Sequence, residues 1–141
     1  MRLIRCHHSL WQHFRAFHYS PEVFNKSARC YLVEVSGKWV GFVASLPLRS
    51  GTLKNSWRAH KTAVLRPMDH AKQKGLWARV ADAQAQHHIS HGHRFFSAAP
   101  IDHASYREVA GSGWKPTTKN ERRKLKRGEC SHEFIGTKEA A

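Results

Sequence analysis

The sequence predicts a single α/β domain in which an apolar segment, residues 29–65, supplies the first strands of the sheet. The chain has 141 residues, which is enough for one hydrophobic core but not for two. Its longest apolar runs lie within residues 29–65 and are rich in β-branched and aromatic side chains. A helical pattern over residues 76–83 and a further strand over 94–98 follow, so helices and strands belong to one unit.

Two strands and a tight turn begin this segment. Tyr31–Val35 and Trp39–Ala44 flank Ser36-Gly37, and a two-residue hairpin turn requires positive φ angles there. Pro47 should end the second strand because proline has no N–H to donate to a neighbouring strand. Residues 57–65 predict a third strand, closed by Arg66-Pro67.

Ser9–Tyr19 is predicted to be helical, with Ser9 as its cap, and to end before Ser20-Pro21. The apolar stripe of this helix consists of Leu10, Trp11, Phe14 and Phe17.

The histidines of residues 87–93 have two interpretations. His87 and His91 would share a helix face, as zinc ligands can, but Gly92 breaks the helix and no cysteine is near. The pattern therefore favours a polar helix end over a metal site, and we predict no metal. Arg94–Ala98 is the next strand, and Asp102–Ala110 a further helix.

The charge of the chain favours a polyanionic partner. Lys and Arg number 24 against 10 acidic residues, a formal net charge of +14. Residues 119–141 are predicted to be a basic, flexible tail. A run of this kind is either a solvated tail or a phosphate-binding segment, and we expect it to contact nucleic acid, DNA in preference to RNA. The predicted contacts are Arg122, Arg123, Lys124, Lys126 and Arg127.

The three cysteines, Cys6, Cys30 and Cys130, do not form a disulfide framework, which is typical of a reducing compartment. The first residues lack the apolar run of a signal peptide, and no segment reaches the roughly 20 apolar residues of a membrane span. We expect a cytoplasmic protein that does not bind membranes.

An ordered set of short motifs resembles the central sheet of the GNAT (GCN5-related) N-acetyltransferase superfamily, in particular a subgroup seen in phage and mobile-element proteins. The motifs are Asn25–Tyr31, Ser36–Lys38, Val40–Ala44, Leu46-Pro47 and Lys54–His60. The resemblance implies a mixed, mostly antiparallel sheet flanked by helices, formed by residues 1–118. The GNAT resemblance also implies that His18, Tyr19 and Asn25 lie on the acceptor side of the cleft. His18-Tyr19-Ser20 resembles a short motif of Mom-type DNA-modification proteins, which implies that His18, Tyr19 and Ser20 lie near the modified base.

The resemblance implies acetyl-CoA as cofactor, held along the third strand by Thr62 and Val64. GNAT proteins usually follow this strand with a glycine-rich loop that holds the coenzyme pyrophosphate on backbone N–H groups. Here that loop is degenerate: Gln73 and Gly75 fit the pattern, Lys74 adds charge, and Trp77 stands where a small residue is expected.

Three residues are candidates for catalysis under this resemblance. Glu34 is either a solvated or ion-paired carboxylate or a general base. His60 is either a packed, hydrogen-bonded histidine or a proton-transfer group. Tyr106 is either an aromatic anchor of its helix or the general acid that protonates the leaving thiolate.

Two main functions compete. The first is an N-acyltransferase that uses acetyl-CoA on an amine carried by, or associated with, nucleic acid, including a Mom-like modification of a flipped base. The second is a non-catalytic, basic nucleic-acid-binding module derived from the GNAT fold, which the degenerate glycine loop favours. A metal-dependent nucleic-acid protein is a weaker third hypothesis. The sequence does not predict the oligomeric state.

Overall fold

The computed structural model describes residues 1–17, 23–49, 54–65, 70–100, 107, 112–117 and 129–136. Its strands are β1 (Arg2–Cys6), β2 (Arg29–Val35), β3 (Lys38–Pro47), β4 (Ser56–Val64), β5 (Arg94–Pro100), β6 (Trp114–Pro116) and β7 (Glu129–Phe134). One long helix, α1 (His70–Ser90), and two short 3-10 helices, His8–His13 and Arg15–Phe17, complete the described elements.

The strands form one seven-stranded sheet in the order β1-β2-β3-β4-β5-β7-β6. The β4–β5 pair is parallel and the other pairs are antiparallel. This arrangement confirms the predicted mixed, mostly antiparallel α/β fold. The β2–β3 turn is also confirmed, since Ser36 and Gly37 have φ angles of 51° and 78°.

Each face of the β1–β4 half carries its own core. On one face Val33, Val43 and Val64 are buried against α1. Gly41 permits this contact, because a Cβ there would lie 2.8 Å from the Ala63 carbonyl oxygen and 3.4 Å from Val80. The opposite face is covered by aromatic side chains from the segment after β1.

The segment after β1 is helical, as predicted, but as two 3-10 helices. Trp11 and Phe14 are buried and Leu10 packs beside them, so the predicted stripe is confirmed for these three residues. The cap is His7, whose side chain accepts a hydrogen bond from the Ser9 N–H at 3.2 Å, and the prediction of Ser9 as cap was wrong. The Phe17 side chain and Tyr19 lie outside the described part of the chain.

β1 and β7 lie in segments for which the sequence predicted no strand. β1 pairs with β2 over its full length, although it has only five residues and no strict alternation of charged and apolar side chains. β7 lies in the segment predicted to be a flexible tail, and that prediction is wrong over Glu129–Phe134. β7 lies between β5 and β6 and pairs with both, so long-range pairing, which local composition does not reveal, produces it.

The cysteines are all free thiols, although Cys6 lies directly opposite Cys30 across β1 and β2. Burial raises the pKa of Cys30 to about 11, so its thiol stays protonated at neutral pH. Within the described residues, no helix is long and apolar enough to cross a membrane.

Candidate active site

β4 and β5 diverge after a short stretch of pairing. Ser56, Trp57 and Arg58 pair with residues 94–96, and the Arg94 N–H donates to the Asn55 carbonyl at 2.9 Å. Beyond that point β4 continues to Val64 while β5 pairs with β7 on its other side. The divergence leaves a gap beside residues 60–64, and we call the side of β4 that faces it the β4 edge.

The peptide groups of the β4 edge point into this gap. The Leu65 N–H donates to the Val40 carbonyl at 2.9 Å, so residue 65 faces β3. Because peptide groups alternate between the two sides of an antiparallel strand, the N–H and C=O groups of Thr62 and Val64 face away from β3. The two residues predicted to hold the cofactor are therefore on the β4 edge.

His60 is the extra residue of a β-bulge. Ser45 is opposite Ala59 and Ala44 is opposite Lys61, so His60 has no direct partner on β3. A bulge bends the strand and redirects the side chains around it. It occurs directly after Arg58, where the pairing of β4 with β5 ends.

The His60 ring holds the loop that precedes β2. Its Nε2 accepts a hydrogen bond from the Asn25 N–H at 2.9 Å, and its ring lies 5.3 Å from that of Phe24. Desolvation, with the charges of Lys61 and Arg58 adding to it, lowers the pKa of His60 to about 4. His60 is therefore neutral at pH 7, with the nitrogen that faces Asn25 already in use as an acceptor.

Trp77 of α1 reaches the β4 edge. Its indole Nε1–H donates to the Thr62 carbonyl at 2.9 Å. The side chain is 8% exposed and belongs to the same core cluster as Val64 of β4 and Cys130 of β7. The indole thus lies beside the gap and engages one of the carbonyls that face it.

A buried polar network lies under the bulge. The Gln84 side chain donates to the Ala44 carbonyl at 3.1 Å and to the Ser45 hydroxyl at 3.0 Å, and it accepts from the Thr62 hydroxyl at 2.6 Å. His88 joins the network through a 2.9 Å hydrogen bond between its Nε2 and the Ser45 hydroxyl. These bonds fix β3, β4 and α1 relative to one another.

Burial and neighbouring positive charge lower the pKa of His88 to about 3. The ring stacks on Phe95 at 4.9 Å, and its Nδ1 lies 3.3 Å from that of His93. α1 ends at Ser90 and Gly92 has a φ of 78°, which confirms the predicted helix end. Among the described residues, no group of three or more His, Cys, Asp or Glu side chains is arranged to hold a metal ion.

The segment expected to form the glycine-rich loop is part of α1. The helix begins at His70 and runs through Gly75. Only the first four N–H groups of a helix lack a partner within it, so the Gly75 N–H is used inside α1. The backbones of Gln73 and Lys74 belong to the helix as well, while their side chains lie outside the described residues.

Glu34 lies apart from the other predicted site residues. Its carboxylate pairs with Arg2 at 3.3 Å. Arg29, at the other end of β2, is opposite Ser45 and hence near the bulge. From strand spacing and rise, Glu34 is roughly 15–20 Å from His60. The structure therefore brings His60, Thr62, Val64 and Asn25 together but not Glu34.

Several predicted residues lie outside the described part of the chain. They are His18, Tyr19, Ser20, Tyr106, Arg122, Arg123, Lys124, Lys126 and Arg127. Sequence reasoning noted Trp77 as unusual but did not predict its bond to β4, and it missed Gln84 altogether. A glutamine in the middle of an otherwise apolar helix stripe was the available indication of a buried polar role.

Solved acetyltransferase structures share this fold. The IAA acetyltransferase from Bacillus cereus matches with a TM-score of 0.58 and 12% identity, over 94% of this chain and 97% of that one. A Bacillus subtilis acetyltransferase in complex with CoA also has a TM-score of 0.58, with 11% identity over 96% and 97% of the two chains. The ribosomal-protein-alanine N-acetyltransferase from Brucella melitensis has a TM-score of 0.54 and 12% identity, over 96% and 100%.

The chain therefore has the GNAT acetyltransferase fold, as its motifs predicted. No family model matches the sequence, and no curated protein matches it. At these identities the likeness defines the fold, and the chemistry has to be argued from the residues of the gap.

Proposed function

We propose that this protein is an acyl-CoA-dependent N-acyltransferase, with acetyl-CoA as the acyl donor. The observation that carries the proposal is the β4 edge, where the peptide groups of Thr62 and Val64 face the gap left by β5. A strand edge of this kind pairs with any extended chain that carries secondary amides. The fold shared with an acetyltransferase in complex with CoA supports the same use of the gap.

The β4 edge fits the pantetheine arm of an acyl-CoA, because it offers donors and acceptors at the spacing of a strand. The Thr62 carbonyl can accept a hydrogen bond from the arm only after the Trp77 indole has moved away from it. When bound, an acyl-CoA supplies an acyl group activated as a thioester. Gln73 and Lys74 remain candidates for its phosphates, with lysine charge in place of loop N–H groups, because the Gly75 N–H is used inside α1.

His60 acts by position rather than as a base under this proposal. An effective general base has a pKa close to the working pH, whereas burial keeps that of His60 near 4. Its bond to Asn25 instead holds residues 23–27 beside the gap, on the side where the acceptor amine would enter. Tyr106 remains our candidate for the proton donor, and Glu34 is too distant from the gap to be the base.

The acceptor we propose is an amine carried by, or associated with, nucleic acid, with a Mom-like DNA base as one case. The net charge of +14 supports a polyanionic partner. The three acidic side chains that the structure describes are already engaged: Glu34 with Arg2, Glu133 with Arg94, and Asp82 with Trp114. They leave most of the described positive charge uncompensated.

Calorimetry and thermal shift with acetyl-CoA test the enzyme proposal. Binding to the folded state raises the apparent stability. Heat of binding and a rise in Tm at millimolar acetyl-CoA would support the proposal, and the absence of both would exclude it.

Salt dependence of binding tests the partner. About five phosphate contacts give a slope near −4 to −5 in a plot of log affinity against log salt concentration on duplex DNA. Replacing the five basic residues between positions 122 and 127 by glutamine should flatten this slope and leave β7 intact. A control with Lys38→Gln and Lys54→Gln, two exposed residues elsewhere, should change it less. Affinity that does not vary with salt would contradict the proposal.

A non-catalytic nucleic-acid-binding module is the second candidate. The hydrogen bond between Trp77 and Thr62 favours this candidate, because the indole occupies the part of the β4 edge where the pantetheine arm would bind. For this candidate we expect salt-dependent binding of nucleic acid, with neither heat of binding nor a rise in Tm when acetyl-CoA is added.

A further inference from the structure

We propose that Trp77 is a gate on the β4 edge, whose indole must leave the Thr62 carbonyl before the pantetheine arm of an acyl-CoA can bind. The inference rests on the proposed acyltransferase function. Trp77 of α1 then controls access to the β4 edge. The affinity for the cofactor depends on competition between the indole and the pantetheine arm for the Thr62 carbonyl.

The competition follows from the position of the indole. Its Nε1 lies 2.9 Å from the Thr62 oxygen, so the five-membered ring fills the first layer of space beside that carbonyl. An extended arm needs both the acceptor and the adjoining space to add to the strand edge. The indole N–H satisfies the carbonyl as an amide of the arm would, and the two arrangements exclude each other.

Burial stabilises the closed position. Trp77 is 8% exposed, and it belongs to the same core cluster as Val64 of β4 and Cys130 of β7. The Arg107 guanidinium carbon lies 5.2 Å from the Trp77 ring centre and 4.4 Å from that of Trp114. Opening therefore gives up a hydrogen bond and aromatic contacts, which the bound arm has to replace.

The helix around Trp77 is weakly supported, which makes opening feasible. Its first turn contains no acidic residue that could interact favourably with the helix dipole. Gly75 is among the poorest helix-forming residues, and a Cβ added there would meet no atom within 4 Å. This glycine lies in the exposed part of the turn that precedes Trp77, so the helix is least stable close to the gate.

The test compares wild type with Trp77→Phe, which keeps an aromatic ring but removes the N–H donor. Trp114→Phe is the matched control, because it also removes a buried indole whose N–H is bonded, in that case to Asp82 at 2.7 Å. The probes are CoA, which carries the pantetheine arm, and adenosine 3′,5′-bisphosphate, which carries the nucleotide without it. Affinities are measured by calorimetry, and folding is checked by circular dichroism.

We expect CoA to bind Trp77→Phe about three- to tenfold more tightly than wild type, since one hydrogen bond no longer has to be replaced. Trp114→Phe should bind CoA like wild type, and adenosine 3′,5′-bisphosphate should bind all three proteins alike. A measurement on wild type needs no variant to fold: the indole N–H resonance of Trp77, slow to exchange in the free protein, should shift and exchange faster when CoA is added.

The other outcomes separate the gate from the proposed function. Equal or weaker CoA binding by Trp77→Phe, with the Trp77 resonance unchanged in the complex, would overturn the gate and leave the acyltransferase proposal standing. CoA binding by none of the three proteins would overturn the acyltransferase proposal. Binding by Trp77→Phe alone would overturn both the proposal and the movable gate, because the indole would then close the site permanently.

Discussion

The two faces of the β2–β4 sheet are built differently. One face is covered by aromatic rings, with Trp11, Phe14 and Phe42 in mutual contact. The other lies under α1 and contains a polar network, in which Gln84 donates to Ala44 and Trp77 to Thr62. The carbonyls in question lie at the bulge and at the edge where β5 departs.

The difference shows what a diverging sheet requires. The Thr62 carbonyl faces away from β3 where β5 has departed, so it needs a donor from elsewhere, which Trp77 of α1 supplies, and Gln84 of the same helix adds a donor to Ala44 at the bulge. The aromatic face is packed mainly with apolar side chains, and the buried Lys61 lies on it with its Nζ 5.7 Å from the Trp11 ring centre. The polar face is consequently the one where side chains can exchange a partner, as the gate proposed for Trp77 requires.

Phe14→Ala should produce the largest loss of stability. The side chain is 2% exposed on the aromatic face, and removal of a buried phenyl ring costs about 3–5 kcal/mol. Chemical denaturation measures the change. Val23→Ala, on a side chain that is 70% exposed, is the control and should change stability by less than about 0.5 kcal/mol. A loss below about 1 kcal/mol for Phe14→Ala would contradict the described core.

Acid should destabilise the polar face through His88. Its pKa is about 3 in the folded protein against an ordinary 6.5, so the unfolded chain takes up the proton first. Above pH 6.5 the neutral His88 makes its full contribution to the free energy of unfolding. This contribution is lost as the pH falls toward 3, and the loss reaches about 3 kcal/mol at pH 4.

Denaturation between pH 7 and 4 checks this expectation. His88→Gln should reduce the slope of stability against pH. The slope that remains belongs to other groups such as His60, whose pKa is lowered to about 4. An equal slope in wild type and His88→Gln would show that His88 does not titrate as described.

Gln84→Ala should cost about 2 kcal/mol, because it leaves the buried Ala44 carbonyl and Ser45 hydroxyl without this donor. Gln86→Ala is the matched control, since Gln86 is an exposed glutamine on the same helix. Similar effects from the two substitutions would mean that the network adds nothing to stability.

His60→Ala should have the smallest effect on stability, about 1 kcal/mol, because it removes one hydrogen bond at the edge of the site. In an acetyl-transfer assay it should raise the acceptor KM more than it lowers kcat. The pH dependence of kcat/KM between pH 6 and 8 should keep its shape. Loss of an inflection in that range would assign His60 the role of a base instead.

The sequence by itself determined the local elements. Strand-forming β-branched and aromatic residues predicted β2, β3 and β4 to within a few residues, and Gly37 marked the turn between β2 and β3 because glycine adopts a positive φ angle without steric cost. Gly92 marked the end of α1 for the same reason. The ordered motifs also led to the fold that the solved acetyltransferases share.

Only the tertiary structure decided how distant segments meet. β1 and β7 have weak strand patterns and form because β2 and β5 provide edges to pair with. Glu34 and His60 were equal candidates in the sequence, but the register places the first beside Arg2 and the second on the bulge. Trp77 was merely an unexpected residue until its hydrogen bond to Thr62 was seen. Propensity acts over a few neighbouring residues, whereas register and helix packing depend on contacts between residues far apart in the chain.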